Sequence, residues 1–177
     1  MKLVFLLLFL SLSGNNPSEK EIPYRLLSWS DFRGPVPENE PSVAARTVTQ
    51  VSMETTETDE RSTFVVKACF LPDSSFVRVR TDANLRHEQT HFRIAYIEAR
   101  KCMQALEPLQ RGDSNDKAQA LKIYDYYFEA SEKRNARFDL ETNHCLDREV
   151  EKKWEDRIRL EMRIFDNPSK KSYGRNR

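Results

Sequence analysis

Glycine is scarce, with 4 in 177 residues. Neither a G-x-G-x-x-G nor a G-x-x-x-x-G-K-[ST] string occurs, which removes two common glycine-rich phosphate cradles. Charge of one sign is not in excess either. Lys and Arg number 29 against 28 Asp and Glu, a balance that gives no reason to expect a nucleic-acid partner, whose binding usually draws on a net basic face. The same balance excludes the one-sided charge of many disordered chains. Three cysteines, Cys69, Cys102 and Cys145, are too few for a disulfide scaffold, and an odd set leaves at least one thiol unpaired. Past the first dozen residues no run is apolar for long enough to span a bilayer, which takes about 20 residues.

The N-terminus reads as a targeting segment. Lys2 precedes an almost unbroken apolar run over 3–12, with Ser11 and Ser13 as small residues at the exit. A basic start, a short apolar stretch and a small-residue exit make a secretory signal peptide at 1–13. The expected location is therefore periplasmic or secreted, after cleavage. Residues 14–24 are polar with two prolines and read as a linker. The segment 25–165 reads as one domain, and 166–177 as a basic flexible tail.

Two periodicities follow one another along the domain. Residues 43–56 alternate and are rich in β-branched types, as are 63–70, and 75–79 offers a short third strand. From Asp82 onward Leu85, Phe92, Ala99 and Leu106 recur at seven-residue spacing, which predicts an amphipathic helix over 82–109 with Asp82 or Asn84 as N-cap. A second helix is expected at about 117–134. A third is expected at 146–163, where Leu146, Val150, Trp154, Ile158 and Met162 stand four apart. Strands first and helices later predict an α+β fold, a small antiparallel sheet packed on a C-terminal group of helices.

The chemistry is concentrated in the first helix. His87-Glu88-Gln89-Thr90-His91 is an H-E-x-x-H string. Four residues is just over one helical turn, so both imidazoles leave the same face and can share one zinc ion. Glu88 sits one step round the helix. There it can take a proton from a metal-activated water, which makes it the expected general base of a peptidase. A catalytic zinc takes three protein ligands and keeps one position open. His144 is the only histidine outside the motif and is the expected third ligand, with Glu141 and Asp139 as alternatives. Trp29 and Phe32 are expected in the core, and no role is assigned to Tyr124, Tyr126 or Tyr127.

These strings resemble the bacterial predicted secreted zinc-dependent proteases grouped as domain of unknown function 922. The resemblance rests on Trp29 to Phe32 as a Trp-x-Asp-Phe entry, followed by Ala44-Ala45-Arg46-Thr47. It rests further on His87 to Phe92 with Ala99-Arg100, and on Asp139, Thr142 and His144 as an Asp-x-x-Thr-x-His segment. It spans about residues 25 to 160 and implies a zincin-like active-site helix. The chain departs from the family pattern at Thr90, Phe138 and Cys145, where glycine, tyrosine and glycine are expected. The expected function is a zinc-dependent peptidase acting on a peptide or protein substrate outside the cytoplasm. The alternative is a catalytically inactive, metal-stabilised envelope protein acting as a binding module.

Overall fold

The computed structural model describes residues 21–57, 62–111 and 117–166. The expected signal peptide, most of the expected linker and nearly all of the expected tail lie outside the described residues.

Alternation builds the sheet. Along Ser62–Phe70 (β4), Phe64, Val66, Ala68 and Phe70 are all buried. Thr49–Glu57 (β3) pairs with it antiparallel, Val51 opposite Ala68 and Met53 opposite Val66. On its other edge lies Ile22–Pro23 (β1), opposite Phe70 and Cys69. These two residues were expected in a linker. They form a strand because the end of β4 offers a backbone edge that β3 leaves unpaired.

The expected strand over 43–56 divides. Ala45–Arg46 (β2) pairs with Phe76–Val77 (β5) in a separate two-stranded ladder. Between β2 and β3 the chain is held elsewhere: Val48 N–H donates to Ser75 Oγ (2.9 Å), and Leu71 N–H donates to Val48 O (2.9 Å).

Three helices follow, which completes an α+β fold. Asp82–Arg111 (α1) is capped by Thr81, whose Oγ1 accepts from Asn84 N–H at 3.0 Å. The cap is therefore one residue ahead of Asp82 and three ahead of Asn84, the two expected positions. One stripe of α1, including Ala95, Ala99, Cys102 and Leu106, packs on Phe64, Val66 and Ala68 of the sheet. Its other side, Ile94 and Ile97, packs on Phe138, Trp154, Ile158 and Met162. Lys117–Glu141 (α2) supplies the first of those four and Arg148–Asp166 (α3) the rest. Asp147 caps α3, accepting from Val150 N–H at 3.0 Å. Leu146, expected on the apolar stripe of the third helix, lies before it and is exposed. No helix among the described residues is long and apolar enough to cross a membrane.

The N-terminal segment is strapped across α1. Leu27 N–H donates to Gln89 Oε1 at 2.6 Å, and Tyr24 stacks on Tyr96 with centroids 4.1 Å apart. Phe32 is buried, as expected, and Trp29 packs against it while only partly buried. Tyr124 donates its phenol proton to Val51 O at 2.7 Å, tying α2 to β3.

A charged cluster joins the helices. Arg134 on α2 donates through Nη1 to Glu98 Oε1 of α1 (2.8 Å) and to Glu161 Oε2 of α3 (2.9 Å). The Glu98 side chain is only 5% exposed. Removing one member of a buried pair leaves an uncompensated charge, typically at about 3–5 kcal/mol. Here Lys101 still reaches Glu98 at 2.8 Å, so Arg134→Ala is expected to cost about 2–3 kcal/mol. Urea unfolding of the two proteins measures this. A loss below about 0.5 kcal/mol would instead class the cluster with exposed surface pairs.

Candidate metal centre

The helical spacing of the motif does what it predicts. His87 and His91 leave one face of α1, with Nε2 atoms 3.2 Å apart. Asp139 comes to meet them from α2. Its Oδ1 lies 3.1 Å from His87 Nε2 and 2.9 Å from His91 Nε2. These three atoms form a group that could hold a metal ion.

The protons explain why such a triangle needs a cation. Asn135 Oδ1 lies 2.9 Å from His91 Nδ1. An amide oxygen only accepts, so the proton of a neutral His91 sits on Nδ1 and its Nε2 is a bare lone pair. That lone pair faces a carboxylate oxygen and a second imidazole nitrogen at contact distance. Lone pairs do not converge like this unless a proton or a metal ion lies among them.

Without a metal, protons take that role. Burial opposes a charge on His87, but Asp139, Glu151 and Glu88 outweigh it and lift its pKa to about 9. Burial likewise opposes a charge on His91, and Asp139 and Glu88 still raise it. Asp139 is lowered: desolvation works against its charge, and the two imidazoles more than compensate.

Phe138 forms the wall behind both rings. It stacks on His87 (centroids 4.5 Å, 26°) and meets His91 edge-on (5.0 Å, 74°). It is fully buried and also touches Trp154. A ring in this place orients the histidines. Glu88 follows His87 on α1 and is 5% exposed, and its Oε2 has no hydrogen-bond partner among the described residues. Asp139, by contrast, keeps about a third of its side chain open to solvent.

His144 is not brought to the pair. It is exposed and lies outside the group formed by His87, His91 and Asp139. The reason is the length of α2. The helix runs seven residues past its expected end near Arg134 and stops at Glu141. Asp139 therefore sits on a helical face, one turn from Asn135. His144 falls in the stop, where Asn143, His144 and Cys145 take φ of 48°, 52° and 73°. Left-handed residues turn the chain away from the helix axis. The glycine that the family pattern expects at 145 suits that backbone. Glu141, the other alternative, accepts from Trp154 Nε1 (2.9 Å) and Arg137 Nε (2.6 Å) instead.

All three cysteines are buried free thiols. Burial pushes Cys69, Cys102 and Cys145 each up to about 11. Cys145 lies close to His87 and Glu151. The residues that motif reading passed over are Asn135 and Glu151. A helical signal for the first was present: Asn135, Phe138, Asp139 and Thr142 stand at i, i+3, i+4 and i+7, the spacing of one face.

A small antiparallel sheet, three helices and converging histidines and aspartate define an α+β protein with a centre able to hold a metal ion. Residues 75–145 match the family described as Bacterial protein of unknown function (DUF922). That segment runs from the start of β5 to Cys145 and contains His87, Glu88, His91, Asn135, Phe138 and Asp139. The match supports the resemblance to this family over 75–145, a segment that leaves out the Trp29–Phe32 and Ala44–Thr47 strings. No curated protein and no solved structure matches the chain.

Proposed function

We propose that the protein is a zinc-dependent peptidase, acting outside the cytoplasm after loss of residues 1–13, with His87, His91 and Asp139 as metal ligands. The observation that carries this reading is the triangle of ligand atoms 2.9–3.2 Å on a side. Donor atoms around a tetrahedral zinc, with bonds of about 2.0–2.1 Å, stand about 3.3 Å apart. Two imidazoles and one carboxylate are an accepted catalytic donor set that leaves the fourth position open. When bound, zinc supplies Lewis-acid polarisation of a peptide carbonyl and lowers the pKa of a coordinated water toward about 7.

The chain's own groups do the rest. Asn135 and Phe138 hold His91 in one tautomer and orientation. Glu88 takes the water's proton on its unpartnered Oε2 and delivers it to the leaving amine nitrogen. Asp139, about a third exposed, is the ligand most open to solvent and marks the side from which a substrate would reach the metal.

The reading is tested by metal analysis of purified protein and by cleavage of a quenched fluorescent peptide library with and without chelator. One zinc per chain and chelator-sensitive cleavage are expected. The second reading is the metal-stabilised binding module, favoured by the burial of His87 and Glu88, because closed sites are typical of structural metals. It is chosen if zinc is bound and raises the melting temperature but no peptide is cut.

A pH dependence follows from the raised histidines. Zinc binds the unprotonated ring, so binding expels the protons these groups hold. Since His87 is protonated up to about pH 9, zinc affinity should climb about tenfold per pH unit for each proton released. Calorimetry in two buffers of different ionisation enthalpy counts the protons. For protein stripped of metal, the stabilising pattern is the reverse. The His87 contribution is complete below the ordinary imidazole value of about 6.5. It fades as pH rises through about 9. The Asp139 contribution is complete above about 3.9 and fades as pH falls toward its lowered value.

A further inference from the structure

Glu151, in the first turn of α3, is 2% exposed. It lies beyond the matched segment 75–145. Neither of its carboxylate oxygens has a hydrogen-bond partner among the described residues, and neither does His87 Nδ1. The two lie close together: His87 Nδ1 is 3.3 Å from Glu151 Oε1. Arg148 Nη1 is more remote, 3.8 Å from Oε2, and half-exposed. A carboxylate buried without a donor is a costly arrangement. It becomes intelligible if the ring beside it carries a proton on the facing nitrogen.

A histidine that coordinates through Nε2 has that need, because its remaining proton must sit on Nδ1 and find an acceptor. For His91 the acceptor is Asn135 Oδ1. For His87 the acceptor in place among the described residues is Glu151. We propose that Glu151 is a positioning residue: Oε1 accepts the Nδ1 proton of His87 and so holds the ring in the tautomer that presents Nε2 to the metal. This rests on the reading of His87 as a metal ligand. It makes the two histidines unequal. His91 is held by a neutral amide and His87 by an anion, which makes His87 the more basic donor.

A competing occupant exists at the same place. Cys145 Sγ, His87 Nδ1 and Glu151 also form a group that could hold a cation. Such a cation would require His87 to surrender its Nδ1 proton while Nε2 is already engaged. It would also sit beside the Arg148 guanidinium, which is 3.2 Å from Cys145 Sγ. The proton on Nδ1 satisfies the same atoms without either penalty.

The test measures zinc affinity by competition with a chromophoric chelator, for the full chain and for Glu151→Leu and Glu151→Gln. Wild type should bind one zinc. Glu151→Leu should bind about 10–100-fold more weakly, and the metal-stripped variant should melt below wild type at neutral pH, since the protonated His87 ring loses the anion beside it. Glu151→Gln, whose amide oxygen can accept the same proton, should recover part of the affinity. It also carries the comparison if the Leu variant does not fold. Nitrogen NMR of the zinc-loaded protein should show His87 Nδ1 protonated. A merely structural role would lower the melting temperature and leave zinc affinity alone. Wild-type zinc affinity in both variants overturns the role of Glu151 and leaves the metal centre standing. A second zinc equivalent that disappears in Cys145→Ser also overturns it, in favour of the cation. Wild type that binds no zinc overturns the centre and this role together.

Discussion

Glu88→Gln abolishes nearly all hydrolysis and leaves the fold and the zinc in place: this is the expected result with the largest effect. General bases contribute about 10²–10⁴-fold, and the loss should fall in that range or beyond it. The substitution is nearly isosteric and Glu88 is 5% exposed, so the packing around it is kept. It removes the carboxylate charge and the proton-accepting oxygen, Oε2, which has no other partner. The measurement is turnover of a cleaved peptide together with zinc content. Turnover equal to wild type would remove Glu88 from the reaction. Loss of zinc along with turnover would make it a metal-holding residue.

The second large effect concerns the third ligand. Asp139→Ala should strip zinc from the site at concentrations that saturate wild type. Among the described residues it removes the carboxylate oxygen in contact with both Nε2 atoms, at 3.1 and 2.9 Å. The loss of affinity should exceed the roughly 10–100-fold that follows removal of an outer hydrogen-bond partner. His144→Ala should leave zinc affinity unchanged, since His144 is exposed and stands apart from the pair. Glu141→Ala should also leave the metal bound. Its cost is about 1 kcal/mol of stability, from the lost bond with Trp154 Nε1. If His144→Ala strips the zinc and Asp139→Ala does not, the ligand set is the one first expected from histidine count.

The two outcomes bear on different parts of the site. Glu88 and the histidine pair depend only on positions within one helix. Asp139 depends on how a second helix meets the first. The Asp139 variant also has a signature without zinc. With the shared anion gone, the His87 pKa should fall from about 9 toward the ordinary imidazole value of about 6.5. Proton NMR titration of metal-stripped protein reads this directly.

Much of the fold was legible because local pattern and burial agree. The seven-residue stripe of α1 and the alternation of β4 each follow from a single period, and Phe92, Ala99, Leu106, Phe64 and Val66 are buried as those periods require. The strand β1 was not legible. Two residues, Ile22 and Pro23, carry no period, and only the open edge at Cys69 and Phe70 selects them. The division of 43–56 into β2 and β3 was hidden for a similar reason. The side-chain alternation runs through it, while the break is made by Ser75 and Leu71 from another part of the chain.

Within the site, one helix was enough to determine the pair His87 and His91 and the adjacency of Glu88, because α-helical geometry is local and repeats every few residues. Which atom closes the triangle was not a local matter. By composition, His144 was the natural choice, as the third of three histidines. The tertiary structure brings Asp139 and not His144 to the pair, because α2 continues to Glu141 and its Asn135–Phe138–Asp139 face packs over the histidines. Glu151 comes from a third helix. Its place against His87 Nδ1 depends on the packing of α3 on α1 through Trp154 and Ile158. Spacing along the chain specifies contacts within a helix. Contacts between helices depend on where each helix stops and how its apolar face is buried, and that is decided only when the core forms.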